Sequence, residues 1–202
     1  MSNEPRCPAG PSLPSIPAGT VAAHGGSGSG CLDPGQLDAT LRRLAEDLLA
    51  RLKPEEEVVL LGIRSRGLPL AERLAILLRA ATGAAVPVGS LDITLYRDDL
   101  TEMVGSPIVR PTEIPFTLKE RTVVLVDDVL YTGRTVRAAL DALLDHGRPR
   151  RVMLLVLADR SGRELPIQAD LAGLRVEVPP GHRVAVRLKE IDGEDGVTVE
   201  AC

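Results

Sequence analysis

The chain has 202 residues, 44% of them apolar, with a formal charge of -4. That is enough for one ordinary domain with a core plus an appendage, and it excludes a generally basic nucleic-acid binder, so any such surface must be a local patch. Three aromatic residues, Tyr96, Phe116 and Tyr131, are too few for a base-stacking platform and leave an aliphatic core.

Residues 1–30 are rich in Pro, Gly and Ser. Pro5, Pro8, Pro11, Pro14 and Pro17 recur every third residue, as on one face of a polyproline II helix, and GGSGSG follows. A disordered tail is the expectation; a docking motif and a mis-assigned start are the alternatives. Leu37, Leu41, Leu44, Leu48 and Leu52 mark an amphipathic helix that Pro54 stops. Residues 58–63 read as a short buried strand, and 68–81 as a helix with Leu70, Leu74 and Leu77 or Leu78 on its apolar face. Residues 86–95 form the next strand. The proline-punctuated stretch 96–117 has the length of a lid or hairpin.

Residues 123–135, VVLVDDVLYTGRT, carry the strongest signal. An apolar strand ends in Asp127 and Asp128, a loop with Thr132, Gly133 and Thr135 follows, and Val136, Leu140, Leu143 and Leu144 then recur at helical spacing. Gly147 is the expected end of that helix. Strands at 151–158, 175–178, 184–188 and 197–200 complete the chain. Alternating strands and helices predict an α/β fold with a mostly parallel sheet covered on both faces.

The order strand, acidic pair, hydroxyl-and-glycine loop, helix builds an anion site beside a diol site. Free amides and the dipole at a helix N-terminus favour a phosphate, and Gly133 lets the loop close around it. Carboxylates would repel that phosphate, so Asp127 and Asp128 should face hydroxyl donors such as those of ribose. The implied ligand is a ribose 5-phosphate. The acidic pair also looks like a Walker B strand, but the chain has no Gly-Lys dipeptide and so no partner P-loop. Arg64, Ser65, Arg66 and Gly67 open the second predicted helix as a basic loop suited to a diphosphate, unless the arginines are plain surface charges. Cys7, Cys31 and Cys202 lie near the chain ends, away from any disulfide-framed domain, and His24, His146 and His182 are scattered, so no metal cage is encoded. No run is long enough to span a membrane.

The 123–135 block resembles the 5-phosphoribosyl 1-diphosphate (PRPP) signature of type I phosphoribosyltransferases. DDVLYTGRT is similar to one branch, the pyrimidine-operon regulators that are also uracil phosphoribosyltransferases, the PyrR family. Three more stretches match that branch: LLGIRSRG at 60–67, LDITLYRDDL at 91–100, and the ADR, RELPI and AD strings within 158–170. The resemblance implies a type I phosphoribosyltransferase fold over residues 31–202, with a flexible lid loop and a small hood. It implies a cytoplasmic homo-oligomer that makes UMP and diphosphate from uracil and PRPP, with Mg2+ carried by PRPP. Asp127, Asp128 and Arg66 would be catalytic; Arg64, Ser65, Gly67, Tyr131, Thr132, Gly133, Arg134 and Thr135 would complete the PRPP site. Arg97 and Asp98 would begin the lid, or serve as hinge salt-bridge residues. Asp159 and Arg160 would form the hood over uracil.

The same branch binds pyrimidine-operon messenger RNA under the control of uridine nucleotides. Here the sequence departs from that pattern at Glu46, Gly162, Gln168 and Leu174, each read as the loss of a cation. Arg42, Arg51 and Arg163 remain as candidate RNA contacts. The expectation is therefore a uracil phosphoribosyltransferase first. An RNA-binding attenuator that uses the site as an effector pocket is the alternative, and a transferase for another base ranks third.

Overall fold

The computed structural model describes residues 20–22, 30–98 and 111–202. In chain order these give β1 (Thr20–Ala22), β2 (Gly30–Leu32), α1 (Pro34–Arg51), β3 (Val58–Ile63), α2 (Gly67–Thr82) and β4 (Val88–Leu91). A 3-10 turn (Thr94–Tyr96), β5 (Thr122–Leu130), α3 (Arg134–His146), β6 (Arg151–Arg160) and β7 (Leu171–Glu177) follow. The chain closes with β8 (His182–Arg187), the short α4 (Lys189–Asp192) and β9 (Gly196–Ala201).

Among the described residues, six strands form one sheet in the order β1-β7-β6-β5-β3-β4, parallel throughout. A separate antiparallel sheet has the order β2-β9-β8. Alternation within the central strands fills both faces, as a buried parallel sheet requires. Leu60, Val124, Val126, Leu155 and Leu157 join the core under α1 and α2, whereas Val59, Leu61, Val123, Leu125, Leu154 and Val156 join the core under α3.

Helix α1 starts with a capping box: Asp33 Oδ1 accepts from the Gln36 N–H at 2.8 Å, and Gln36 Oε1 accepts from the Asp33 N–H at 2.9 Å. Such caps contribute about 1 kcal/mol. Leu37, Leu41, Leu44 and Leu48 are fully buried, so truncating one to Ala should cost about 2–5 kcal/mol. In α2, Leu78 is buried and Leu77 only packs against the core edge. In α3, Val136 and Leu143 are buried, but Leu144 is 59% exposed; Ala139 and Ala142 complete the buried face instead. Gly147 ends α3 with φ 149°.

The fourth strand, Val88–Leu91, ends before residue 95 because Asp92 interrupts it. Its Oδ1 accepts from the Thr94 N–H at 2.7 Å, a local turn that competes with the ladder. The seventh strand is longer than 175–178. Gly173 hides that extension in the sequence, yet a Cβ there would sit 2.5 Å from Leu157 O and 2.7 Å from Thr40 Cγ2. Within the stretch expected to be a tail, Thr20–Ala22 pairs with β7 and Gly30 pairs with Thr198 of β9. The remainder of that stretch, and lid residues 99–110, lie outside the described residues.

Candidate active site

Strands β3, β4 and β5 end on the same side of the sheet, where the carboxyl ends of parallel strands leave a crevice. There a cavity of about 420 Å³ is lined by Arg64, Ser65, Asp92, Thr94, Arg97, Asp127, Asp128 and Thr135, with Ile93 and Val129. Asp127 is only 6% exposed, and its Oδ1 accepts from the Asp128 N–H at 3.0 Å. Burial, and then the neighbouring Asp128 charge, push the Asp127 carboxyl well above the usual carboxylate range.

Glycines shape the loop opposite. A Cβ on Gly62 would lie 2.3 Å from Leu68 Cα, and one on Gly67 would lie 2.2 Å from Val126 O. Only glycine lets α2 begin so close to β3 and β5. The loop between them, with a cis Arg64–Ser65 peptide, is thereby brought to the acidic pair. Arg64 Nε and Nη2 donate to Ser90 Oγ at 3.1 and 2.8 Å, and Nη2 lies 3.6 Å from Glu113 Oε1. Arg66 turns away from the cavity and pairs with Asp192 at 2.8 Å.

Gly133, with φ 95°, stands at the N-cap of α3, which has no side-chain cap. Thr135 reaches the cavity, whereas Thr132 supports the neighbouring loop: its carbonyl accepts from the N–H groups of Glu164 and Leu165, each at 3.0 Å. Arg134 bridges Asp98 at 2.5 Å and Glu164 at 2.8 Å, joining the start of the lid stretch to the hood. The 3-10 turn is tied to α3 as well: Arg137 Nη2 donates to Tyr96 O at 2.8 Å, and the Tyr96 hydroxyl donates to Asp145 at 2.6 Å.

The hood is organised by Arg163. Its guanidinium donates to the carbonyls of Leu130, Tyr131 and Arg160 and pairs with Asp159. The Arg160 guanidinium lies 3.9 Å from the centroid of the Tyr131 ring. Asp159, Arg160 and Arg163, with Gln168 and Arg175, line a second cavity of about 500 Å³. Sequence reasoning passed over Asp92, Ser90, Asp192 and Arg175; only Asp92 lay inside a recognisable string, LDITLYRDDL.

Residues 33–182 match the family model described as phosphoribosyl transferase domain. Proteins called "Bifunctional protein PyrR" are 54% identical in Pelotomaculum thermopropionicum over 83% of this chain and 93% of that one, and 54% identical in Thermus aquaticus over 80% and 90%. The chain belongs to the PyrR family of phosphoribosyltransferases. Solved structures of a hypoxanthine-guanine phosphoribosyltransferase from Bacillus anthracis (18% identity, TM-score 0.61, 86% of this chain and 98% of that one) and a hypoxanthine phosphoribosyltransferase from Trypanosoma cruzi (17%, 0.61, 85% and 95%) share its fold.

As a member of the PyrR family, the chain invites comparison at the residues read as an RNA face. Arg42 is exposed and pairs with Asp38 at 2.8 Å, Arg51 is half-buried at the end of α1, and Glu46 and Gln168 are exposed. Arg163 is instead committed to the hood. Leu174 corrects the sequence reading: at 3% exposure it belongs to the core under α1, so it is a packing residue and not a surface position that lost a cation. Among the described residues, no helix is long and apolar enough to cross a membrane.

Proposed function

We propose that this chain transfers the 5-phosphoribosyl group of PRPP to uracil, giving UMP and diphosphate. One observation carries the reading: the Asp127–Asp128 pair shares its cavity with the Arg64–Ser65 loop and with Thr135 at the uncapped start of α3. An acidic pair with a cationic loop on one side and a helix N-terminus on the other matches ribose hydroxyls between a diphosphate and a 5-phosphate. The ribose C1–oxygen bond breaks with its electron pair on the diphosphate, and the bond to uracil N1 forms as N1 gives up its proton.

Asp127 and Asp128 would orient the ribose hydroxyls and offset positive charge developing on the ring, Arg64 would face the leaving diphosphate, and the start of α3 would grip the 5-phosphate. Among the described residues no three His, Cys, Asp or Glu side chains converge as a metal cage. The hard oxygens of Asp92 and Asp128 on this cavity would suit Mg2+ that arrives on PRPP, where it would neutralise the leaving group. Asp159, Arg160 and the segment pinned by Arg163 would cover the base and exclude water.

Assays of PRPP with uracil, hypoxanthine and adenine test the assignment. UMP should be the preferred product, and equal or better turnover of a purine would overturn it. The name "Bifunctional protein PyrR" of its relatives supports a second, regulatory role. In that role uridine nucleotides in the same site would tune binding to pyrimidine-operon messenger RNA. The exposed Arg42 and the arginine-lined hood cavity are its candidate surface. With Arg163 turned inward and Glu46 adding negative charge, that binding is the weaker of the two activities. A cytoplasmic homo-oligomer is the assembly that goes with both.

A further inference from the structure

Arg66 stands at the N-cap of α2, one residue beyond the cavity-lining Ser65, yet its guanidinium reaches outward to the hairpin of the antiparallel sheet. Nη2 donates to Asp192 Oδ1 at 2.8 Å. Asp192 is fixed from its other side, where Oδ2 accepts from the Leu188 N–H at 2.9 Å. The hairpin is clamped to α2 by Arg73, which reaches both oxygens of Glu190 at 2.8 and 2.6 Å and both of Asp195 at 3.0 and 2.7 Å. Asp192 is therefore a positioned anion and not a free surface side chain. Arg66 Nε, by contrast, is buried without a hydrogen-bond partner, so the outward position leaves part of the guanidinium unsatisfied. A cation held by one carboxylate, with a buried donor unpaired and the cavity one residue away, is poised to exchange partners.

We propose that Asp192 is a positioning residue that competes with the diphosphate group of the substrate for Arg66. This rests on the reading of residues 64–67 as the diphosphate loop. Asp192 keeps Arg66 on the hairpin until a diphosphate, with several anionic oxygens in place of one carboxylate, draws it to the loop. A nucleoside monophosphate such as UMP presents no diphosphate and leaves the Arg66–Asp192 pair intact. The contact thus makes the site discriminate between diphosphate-bearing and monophosphate ligands, and it couples the β8–β9 hairpin to substrate entry.

Asp192→Asn in the full chain tests this. Asparagine keeps an oxygen for the Leu188 N–H and turns an amide NH2 toward Arg66, so the hairpin contact survives while the anchor is lost. The Kd for inorganic diphosphate and the KM for PRPP should each fall roughly twofold to fivefold, the upper part of the range of an exposed ion pair, while the Kd for UMP stays unchanged. In an Arg66→Ala background, Asp192→Asn should leave diphosphate affinity unchanged, because its target is gone. If melting shows that the asparagine perturbs the fold, Asp192→Ser keeps an oxygen at Leu188 and should give the same pattern. Unchanged or weaker diphosphate binding, or an equal shift for UMP, overturns the proposal. A wild-type chain that makes UMP but shows no Asp192 effect removes this inference alone; one that binds neither PRPP nor diphosphate removes the functional reading beneath it.

Discussion

The Arg160 guanidinium lies over the face of the Tyr131 ring, 3.9 Å from its centroid. Tyr131 belongs to the loop that leads into α3, and Arg160 to the end of β6, so the contact joins that loop to the strand end beside it; in the proposed reading the two lie against the base. Cation–π contacts at exposed sites contribute about 0.5–1 kcal/mol. Tyr131→Ala should raise the KM for uracil several-fold with little effect on PRPP, and Tyr131→Phe, which keeps the ring face, should stay near wild type. Steady-state kinetics with each substrate varied will check the split; equal losses in both variants would point to the hydroxyl instead.

Asp127→Asn should abolish transfer and yet stabilise the protein. Because the folded carboxyl is raised above its unfolded range of about 4, chiefly by burial and then by Asp128, the folded chain binds more protons than the unfolded one. Stability is then fully present below the unfolded pKa and is lost as pH rises toward the folded value. Asparagine removes that loss. At neutral pH each kcal/mol recovered appears as a rise of roughly 2–4 °C in Tm. A pH series of melting curves should show a smaller decline for the variant than for the wild type. Unfolding of Asp127→Asn, or of the double variant with Asp128→Asn, would mark the pair as structural.

Gly67→Ala places a Cβ 2.2 Å from Val126 O, a backbone atom that cannot step aside. The start of α2 must move, at a cost of about 1–3 kcal/mol, and the Arg64–Ser65 loop moves with it. Urea denaturation should show the lost stability and calorimetry a weaker affinity for PRPP, whereas Gly83→Ala, where open space surrounds the Cβ position, should cost stability through its φ of 75° and leave PRPP affinity intact.

For RNA, the structure separates changes that the sequence groups together. Gln168→Arg should tighten binding to pyrimidine-leader RNA and steepen its log–log salt slope by about 0.7–0.9, one further phosphate contact. Leu174→Lys should instead unfold or strongly destabilise the chain, since it places an ammonium in the core beneath α1. Arg163→Ala should lower uracil transfer together with any RNA binding, because it releases Leu130, Tyr131 and Asp159 at once. Filter binding at several salt concentrations, run beside melting curves, distinguishes the three.

The sequence by itself determined the order of α1–α3 and of β3–β9, and the chemistry at the end of β5. An apolar run broken by Asp127-Asp128 and followed by Thr132-Gly133 is legible because strand burial, turn chemistry and helix initiation are local effects, each written within about a dozen residues. The leucine stripes of α1 and α2 were equally plain, for the same reason. Which cations face the cavity was decided by tertiary structure alone. In the sequence Arg64 and Arg66 read alike as diphosphate contacts and Arg163 as an RNA contact, but Arg64 rests on Ser90, Arg66 on Asp192, and Arg163 on carbonyls of three residues. Those partners come from β4, from the hairpin after β8, and from the ends of β5 and β6. A guanidinium on a long flexible stem goes wherever distant acceptors satisfy it, and the sequence around it does not encode where they are.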